Sequence, residues 1–464
     1  MSNKVSIVTL GCAKNVADTD NLARLLKARG HEMVTDAADA DTIVIHTCSF
    51  IEAAKKESIN TILEAGKLKT DGKKLIVTGC LVQQHGKEIF DDLPEVDAFL
   101  GTGQLGQVAE LLEKPRARFL DRANPGGFMD PDDVQNLSGV RRPERRSDVR
   151  TAFENLNGVP EPERRSQSAS AYLRLSEGCS HPCSFCVIPR LRGPVQSRSE
   201  ETILREAREL AAQGVEEFSI IAQDTGDWGR DAKSKKNLPG LLRSISQIPG
   251  VRWIRLMYMH PASFTDELLD VFAEQPDKFP YLDMPLQHID SKMLADMKRM
   301  TDEAGLRGLL ERLRAKAPRL ALRTTFIVGF PGETAAQFKR LISFIQEGYF
   351  DYLGAFSYSK EEGTPAAQRA DQISDKVKQD RLAVLTNAYY EVAHAKAQKR
   401  LGTRETVILE ETEGTTVLGR TCREAPEIDA IVRLPQKAVR GGRFVTAKLT
   451  GYDSHEFTAE PIKV

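Results

Sequence analysis

The chain has 464 residues, enough for about two to four domains with hydrophobic cores of their own. Its composition, 41% apolar and 28% charged, is typical of a globular protein, and no run of about 18 apolar residues predicts a membrane span. A net charge of −1 lacks the basic surplus expected of a protein that binds nucleic acid mainly through phosphates. Seven cysteines without a signal-peptide pattern favour a cytoplasmic protein with metal or redox chemistry over disulfides.

The amino-terminal part alternates short apolar runs with helical patterns, which predicts a parallel sheet covered by helices. Three of the apolar runs end at a cysteine, namely Cys12, Cys48 and Cys80. Open α/β sheets bind ligands at the carboxyl ends of their strands, so we expect these thiols to converge and suit a metal cluster. The alternative is three buried structural cysteines. We also expect a helix after Cys12, with Asp18 or Thr19 as its N-cap.

The composition changes at residues 121–168, which are rich in Pro, Gly, Arg and Asp and have little periodicity. This pattern predicts a linker or mobile insertion. It contains three pairs of arginines, which we interpret as solvated charges in preference to phosphate contacts: Arg141–Arg142, Arg145–Arg146 and Arg164–Arg165.

A polar loop after the apolar run at 171–176 carries Cys179, Cys183 and Cys186 in the spacing Cys-x3-Cys-x2-Cys. Three thiolates can hold three irons of a cubane cluster and leave the fourth iron open to a ligand. Zinc would need a fourth ligand, and His181 lies between the first two thiols. A zinc loop and three unrelated core cysteines therefore stay open as alternatives.

After this loop the alternation of strands and helices resumes. Apolar strands are predicted at 216–224, 252–260, 281–289, 322–330 and 351–359. With the run at 171–176 they make six, and right-handed parallel connections would form a partial barrel with functional groups at the strand carboxyl ends. His260 and His288 end two of these strands, and we interpret both as core histidines.

The last part of the chain contains five short β segments separated by Gly or charged turns, which predicts a small antiparallel barrel. Its charges are balanced, whereas an RNA-reading barrel would be expected to have a basic excess. Acidic clusters at 410–413 and 424–429 offer a surface to a basic protein, unless they are solvated turns. Cys422 falls outside both cysteine trios, and we interpret it as incidental.

The Cys179 loop resembles that of the radical S-adenosylmethionine (SAM) superfamily, and the contexts TLGCAKN, VIHTCSF and IVTGCLVQ resemble the methylthiotransferases within it. The resemblance spans nearly the whole chain and implies an α/β protein with three domains. These are an amino-terminal parallel α/β domain with an auxiliary cluster at 1–120, a radical SAM (β/α)6 partial barrel at 169–394 and a small TRAM barrel, similar to the oligonucleotide-binding fold, at 395–464. The segment 121–168 would be the linker or insertion between the first two.

The resemblance also implies the cofactors, which are two 4Fe–4S clusters and SAM. Cys179, Cys183 and Cys186 would hold the cluster that binds SAM and cleaves it to a 5′-deoxyadenosyl radical. Cys12, Cys48 and Cys80 would hold the auxiliary cluster, which supplies or carries the sulfur.

For SAM itself, the resemblance implies two further sites at strand ends. Gln223 and Asp224 stand where superfamily members contact the methionyl end of SAM. The segment IVGFPGE, which ends at Glu333, resembles a glycine-containing strand end that packs beside adenine, although Pro–Gly also forms ordinary surface turns.

The segments LGCAKN, CVIPRLRG and LGRTCREAPEID resemble RimO-type methylthiotransferases, which modify the β-carbon of an aspartate in a ribosomal protein of the small-subunit decoding centre. The expected partners are that ribosomal protein, free or on the ribosome, an electron donor and RNA in a weak contact, with no membrane. Two alternatives stay open: the same chemistry on a tRNA adenosine, and a non-catalytic iron–sulfur electron carrier.

Overall fold

A computed structural model describes residues 3–69, 72–113, 119–120, 169–231, 237–439 and 442–462. The predicted linker at 121–168, with its paired arginines, lies outside these residues. The chain divides into two units: the first comprises Met1–Ser166, Ser176–Pro182 and Cys186–Thr202, and the second comprises Gln167–Leu175, Cys183–Phe185 and Ile203–Val464. Of the helices in the described ranges, none combines the length and the apolar character that crossing a bilayer requires.

The first unit contains a six-stranded sheet in the order β2-β1-β3-β4-β5-β6, and every pair in it is parallel. Its strands are β1 (Lys4–Thr9), β2 (Glu32–Met33), β3 (Thr42–Thr47), β4 (Lys74–Gly79), β5 (Ala98–Leu100) and β6 (Phe119–Leu120). Its helices are α1 (Ala13–Ala28), α2 (Glu52–Lys67), α3 (Cys80–Asp92) and α4 (Gln107–Glu113). A short antiparallel pair, β8 (Ser176–Glu177) and β9 (Gln196–Ser197), flanks α5 (Ile188–Arg192). The predicted parallel α/β domain is confirmed.

Helices cover both faces of this sheet, which explains why β3 is buried along its whole length and β4 along all but its first residue. On one face, Leu22 and Leu26 of α1 pack with Val44 of β3 and Val108 of α4. On the other face a second apolar cluster combines α2 and α3 with the sheet through Ile43, Ile45, Ile62, Val77 and Leu81.

The helix after Cys12 begins earlier than expected. α1 starts at Ala13 with Cys12 itself in the N-cap position, so the expected N-cap at Asp18 or Thr19 is wrong. The Thr19 hydroxyl is used inside the helix, where it donates to the carbonyl of Asn15 at 3.1 Å. The first cysteine therefore lies at a helix N-terminus, where unpaired backbone N–H groups favour an anionic sulfur.

The second unit contains a six-stranded parallel sheet in the order β14-β13-β12-β11-β10-β7. Its strands are β7 (Ser170–Arg174), β10 (Glu217–Ile221), β11 (Trp253–Leu256), β12 (Tyr281–Asp283), β13 (Ala321–Val328) and β14 (Tyr352–Ser357). The helices around it are α7 (Leu238–Ser246), α8 (Asp266–Glu274), α9 (Ser291–Asp296), α10 (Glu303–Lys316), α11 (Ala335–Gln346) and α12 (Asp375–Gln398), and α6 (Glu200–Ala212) joins the first unit to this series. The predicted six-stranded α/β partial barrel is confirmed.

Two of these strands are much shorter than predicted, because buried apolar sequence continues past the strand. The run 252–260 forms strand only at Trp253–Leu256, and Tyr258 then adopts a left-handed φ of 58°. The run 281–289 forms strand only at Tyr281–Asp283, and Gln287 has a φ of 71°. Such conformations are rare outside glycine and concentrate at functional loops, here at the carboxyl ends of the barrel strands.

A closed five-stranded barrel in the order β15-β16-β17-β19-β18 completes the second unit. Its strands are β15 (Arg404–Glu413), β16 (Thr416–Thr421), β17 (Ile431–Pro435), β18 (Phe444–Asp453) and β19 (Glu456–Pro461). The five predicted strands are confirmed, with one difference in pairing: β17 and β19 run parallel.

Of the three acids in the segment 424–429, Glu424 and Asp429 are buried, and Glu427 between them is exposed. The carboxylate of Glu424 is fully buried and accepts a hydrogen bond from the Tyr352 hydroxyl at 2.6 Å. The carboxylate of Asp429 is 1% exposed and accepts one from the Tyr281 hydroxyl at 2.6 Å. These two buried acids therefore hold the small barrel against β12 and β14 and are not available to a basic protein partner.

Two buried carboxylates make this contact between the barrels sensitive to acid. Burial alone would raise the pKa of Glu217 and Glu424, but Arg255 and Arg420 lower that of Glu217, and Arg400 lowers that of Glu424, each to about 2. Since these values lie below the usual 4.5 of an unfolded chain, the ionised pairs stabilise the fold above that pH. This stabilisation is lost progressively as the pH falls from 4.5 toward 2.

We expect the urea concentration at half-unfolding to fall when the pH is lowered from about 6 to about 3.5, because these carboxylates take up protons in the unfolded chain while they stay ionised in the folded one. Trp253 can report the change, since its ring packs edge-on against Phe444 of β18 at 5.4 Å. A Trp228→Phe background leaves Trp253 as the sole tryptophan. Glu424→Gln should be less stable than the parent at neutral pH and should depend less on pH. An equally steep dependence in Glu424→Gln would contradict the assignment.

Candidate metal centres

The three amino-terminal cysteines follow three neighbouring strands. Cys12 follows β1, Cys48 follows β3, and Cys80 begins α3 directly after β4. Because β3 lies between β1 and β4 in the sheet, the carboxyl ends of the strands bring the thiols together. Each of the other two thiols raises the pKa of Cys48 by its charge, as expected for sulfurs at close range.

Glycines before the two outer cysteines permit this convergence. Gly11 has a φ of +94°, and a Cβ there would lie 2.6 Å from Cβ and 2.8 Å from Sγ of Cys48. Gly79 has a φ of +105°, and a Cβ there would lie 2.6 Å from the carbonyl oxygen of Thr47. The residues before Cys12 and Cys80 thus pack directly onto the end of the central strand, which only glycine allows.

Gly11→Ala should therefore displace Cys48 and reduce the iron held by this trio. The matched control is Gly30→Ala, since Gly30 also has a positive φ, +83°, but a Cβ there meets nothing within 4 Å. Both variants carry backbone strain of roughly 1–2 kcal/mol, but only Gly11→Ala crowds a sulfur. The measurement is iron and sulfide per chain after anaerobic purification. Equal losses in the two variants would show that strain alone is responsible.

Hydrogen bonds hold the central cysteine in place. The Ser58 hydroxyl donates to the carbonyl of Cys48 at 2.8 Å and accepts from its N–H at 3.1 Å. The Thr47 hydroxyl donates to the carbonyl of Thr78 at 2.7 Å, which ties the end of β3 to the end of β4. The site is thus set by backbone and hydroxyl contacts of the sheet.

The shifted pKa values of the three thiols favour the binding of a metal cation. Burial raises the pKa of Cys48 to about 11 and also raises that of Cys80. Burial opposes ionisation of Cys12 as well, but the positive charges of Lys14 and Arg192 lower its pKa. Three thiols that resist joint ionisation release their protons readily only when a metal replaces them. The donor set therefore fits an iron–sulfur cluster.

The second trio lies on the loop between β8 and α5. Cys179 and Cys186 belong to the first unit, where the N–H of Cys179 donates to the carbonyl of Gly193 at 3.0 Å. Cys183 belongs to the second unit, where Nη1 of the buried Arg299 lies 3.3 Å from its Sγ. Within the described residues none of these three cysteines forms a disulfide, as cluster ligands must not.

The two residues predicted to contact SAM stand at strand ends, in different surroundings. Gln223 is half-buried and lies two residues after the end of β10. Glu333 is 3% exposed, and its carboxylate accepts from the N–H of Gly329 at 2.7 Å, bonds the His288 ring at 3.1 Å and pairs with Arg381. Glu333 thus organises the turn after β13 from within, and a direct contact with SAM stays a prediction.

Asp224 and the two strand-end histidines have structural partners. Asp224 accepts from the N–H groups of Gly226 and His260 at 2.9 Å and 3.0 Å, and from the Ser263 hydroxyl at 2.8 Å. It therefore fixes the loops that follow β10 and β11. His260 and His288 are 5% and 0% exposed, as expected of core histidines.

Two buried arginines at the cysteines were missed by sequence reasoning. Arg192 Nη2 lies 3.5 Å from Cys80 Sγ, and Arg299 Nη1 lies beside Cys183. The motif CVIPRLRG contains Arg190 and Arg192 two residues apart, and only the second is buried. Nothing in the sequence distinguishes them, because burial depends on how α5 packs.

Three family models match the chain in succession. Residues 4–101 match uncharacterized protein family UPF0004, residues 173–345 match the radical SAM superfamily, and residues 401–462 match the TRAM domain. The chain is 42% identical to ribosomal protein uS12 methylthiotransferase RimO of Geobacter sulfurreducens, over the full length of both. The chain belongs to the RimO family. RimO of an Anaeromyxobacter species is 41% identical, and the match covers 97% of this chain and 91% of that protein. RimO of Pelobacter propionicus is 40% identical, and the match covers 98% of this chain and 97% of that protein.

Membership of the RimO family makes this chain a radical SAM methylthiotransferase, with SAM and two 4Fe–4S clusters as its cofactors. A solved structure of the radical SAM methyltransferase TsrM from Kitasatospora setae, with cobalamin and a 4Fe–4S cluster bound, is similar in fold. The match covers 79% of this chain and 77% of the TsrM chain, with a TM-score of 0.52 and 17% sequence identity.

Proposed function

We propose that this chain attaches a methylthio group to the β-carbon of an aspartate in ribosomal protein uS12. The observation that carries the proposal is the full-length similarity to RimO enzymes together with the convergence of Cys12, Cys48 and Cys80 at one sheet edge. A protein that needed only one cluster would have no use for this second trio of buried thiols.

The cluster ligands follow from the two trios. Cys179, Cys183 and Cys186 would hold the cluster that chelates SAM, and Cys12, Cys48 and Cys80 would hold the auxiliary cluster. When bound, these groups supply the carbon radical, the sulfur and the methyl group. The chain itself orients them, excludes water and keeps the thiolates in place with buried donors.

The remaining assignments rest on position. Gln223 and the Gly329–Glu333 turn would contribute to SAM binding at the carboxyl ends of β10 and β13. The domain limits at 1–120, 121–168, 169–394 and 395–464 agree in outline with the three matched segments, and the limits themselves stay predictions.

The proposed partners are uS12, free or on the ribosome, an electron donor that reduces the clusters, and RNA in a weak contact with the TRAM barrel. These partners favour a cytoplasmic location. Glu424 and Asp429 are buried against the larger barrel and are therefore not available to uS12.

Mass spectrometry of cells with and without this chain tests the substrate. We expect the uS12 aspartate to lose its methylthio group in the deletion strain, while methylthiolated tRNA adenosine is unchanged. The opposite pattern would assign the chemistry to tRNA. Anaerobic incubation of the purified chain with SAM and dithionite tests catalysis itself, since a mere electron carrier would form no 5′-deoxyadenosine.

A further inference from the structure

One arginine is buried beside the auxiliary cysteines although it comes from the other cysteine loop. Arg192 ends α5, six residues after Cys186, and its side chain is only 2% exposed. Arg190, in the same helix, is exposed. Burying a guanidinium is costly unless its donors are paired, so the partners of Arg192 indicate why it is there.

The guanidinium has two differently occupied sides. Nη1 pairs with Glu177 at 2.9 Å and lies 3.6 Å from the Asp18 carboxylate. Nη2 donates to the side-chain oxygen of Asn15 at 2.9 Å and to Cys80 Sγ at 3.5 Å. The two carboxylates are enough to neutralise the charge, so the contacts of Nη2 require another explanation.

Asn15 extends the reach of Arg192 to the other two ligand segments. Its amide group donates to the carbonyl of Leu10, before Cys12, at 2.7 Å and to that of Thr47, before Cys48, at 3.2 Å. Arg192 is therefore connected to all three auxiliary segments, directly to Cys80 and through Asn15 to the others.

The residue that follows Arg192 contacts the loop of the second trio. The carbonyl of Gly193, next to Arg192, accepts from the N–H of Cys179. A Cβ at Gly178 would lie 2.6 Å from that carbonyl oxygen, so the two strands of this loop are in close contact. Glu177, the ion-pair partner of Arg192, precedes Cys179 by two residues and pairs with Gln196 in β8–β9.

We propose that Arg192 is a positioning residue that links Cys12, Cys48 and Cys80 to the Cys179 segment of the other trio and so fixes the spacing between Cys179 and the auxiliary cluster. The inference rests on the proposed function, because spacing matters only if radical formation at one cluster must meet sulfur at the other. Misplacing reacting groups by about 1 Å can cost a hundredfold in rate, so loss of this link should uncouple SAM cleavage from methylthio transfer.

The test compares Arg192→Met, Arg192→Lys and the matched control Arg190→Gln in the full chain reconstituted anaerobically. The first readout is the ratio of 5′-deoxyadenosine to methylthiolated uS12. The second is the EPR spectrum of the reduced auxiliary cluster, recorded in a background where the cysteines of the Cys179 trio are alanine. The spectrum reports the hydrogen bond to Cys80 sulfur without turnover.

We expect Arg192→Met to raise the ratio about 10-fold to 100-fold and to alter the spectrum, with Arg192→Lys intermediate and Arg190→Gln unchanged. Normal ratio and spectrum in Arg192→Met would overturn the inference. If that variant is recovered without iron, Arg192→Lys and Asn15→Ala decide, because both keep a cation beside Glu177 and Asp18. Failure of the parent chain to modify uS12 would refute the proposed function, while the spectra would still test Arg192.

Discussion

Cys48→Ala is expected to abolish methylthio transfer while 5′-deoxyadenosine formation continues. Cys48 directly follows the central of the three neighbouring strands; Gly11 packs against Cys48 itself, and Gly79 packs against Thr47. Loss of Cys48 would remove one of the three proposed ligands of the auxiliary cluster and leave the other trio complete. We expect product formation to fall by at least about a thousandfold, because this cluster is the proposed source of the sulfur.

The control for this variant is Cys422→Ala. Cys422 is partly buried, which raises the pKa of its thiol, but it belongs to neither trio and packs near Ala169, Trp253 and Ile408. It should keep both clusters and full methylthio transfer. Product from Cys48→Ala at the parent rate, or loss of 5′-deoxyadenosine along with product, would contradict the division of labour between the trios.

Glu217→Gln is expected to produce the largest loss of stability. The Glu217 carboxylate is fully buried and pairs with Arg255 and with Arg420 of β16, each at 2.6 Å. Removing its charge leaves Arg255, 0% exposed, without this carboxylate partner and leaves Arg420, 1% exposed, with Glu410. Breaking a buried pair in this way costs about 3–5 kcal/mol in the free energy of unfolding. Urea unfolding followed by Trp253 fluorescence measures it.

Glu267→Gln provides the comparison for an exposed pair. Glu267 pairs with Arg243 at 3.2 Å, and the two side chains are 49% and 35% exposed. Exposed pairs contribute about 0–1 kcal/mol, so this variant should unfold almost as the parent does. Similar losses in both variants would mean that burial does not set the strength of these pairs.

Much of the cysteine chemistry could be predicted because it follows from local sequence. Each amino-terminal cysteine comes directly after an apolar strand, and parallel strands end at one edge of the sheet. The Cys179 loop carries its ligands within eight residues, so its spacing alone predicts a cluster. The spacing of the cysteines in the sequence does not predict that Cys12 and Cys80 flank Cys48, because the order of the strands in the sheet is a property of the fold.

The rest could not be predicted because it depends on burial. Glu424 and Asp429 look like surface acids in a Pro-containing turn, yet tyrosines and arginines from distant strands enclose them. The same is true of Arg192, which no local pattern separates from Arg190. Charged residues are usually exposed, so sequence reasoning assigns them to the surface unless the partner is known.

The segment 424–429 has a structural role. This segment fastens the TRAM barrel to the larger barrel through Tyr281 and Tyr352. Its resemblance to RimO-type sequences thus has a structural basis in the contact between the two barrels of the second unit.

The most direct test of the central claim is iron and sulfide analysis, with Mössbauer spectroscopy, of three anaerobically purified chains: the parent and the two variants in which either cysteine trio is replaced by alanine. Two separate clusters predict about eight irons in the parent and about four in each variant, all in 4Fe–4S form. If the chain lacking Cys12, Cys48 and Cys80 kept the full iron content of the parent, the auxiliary cluster would not exist where the structure brings these thiols together.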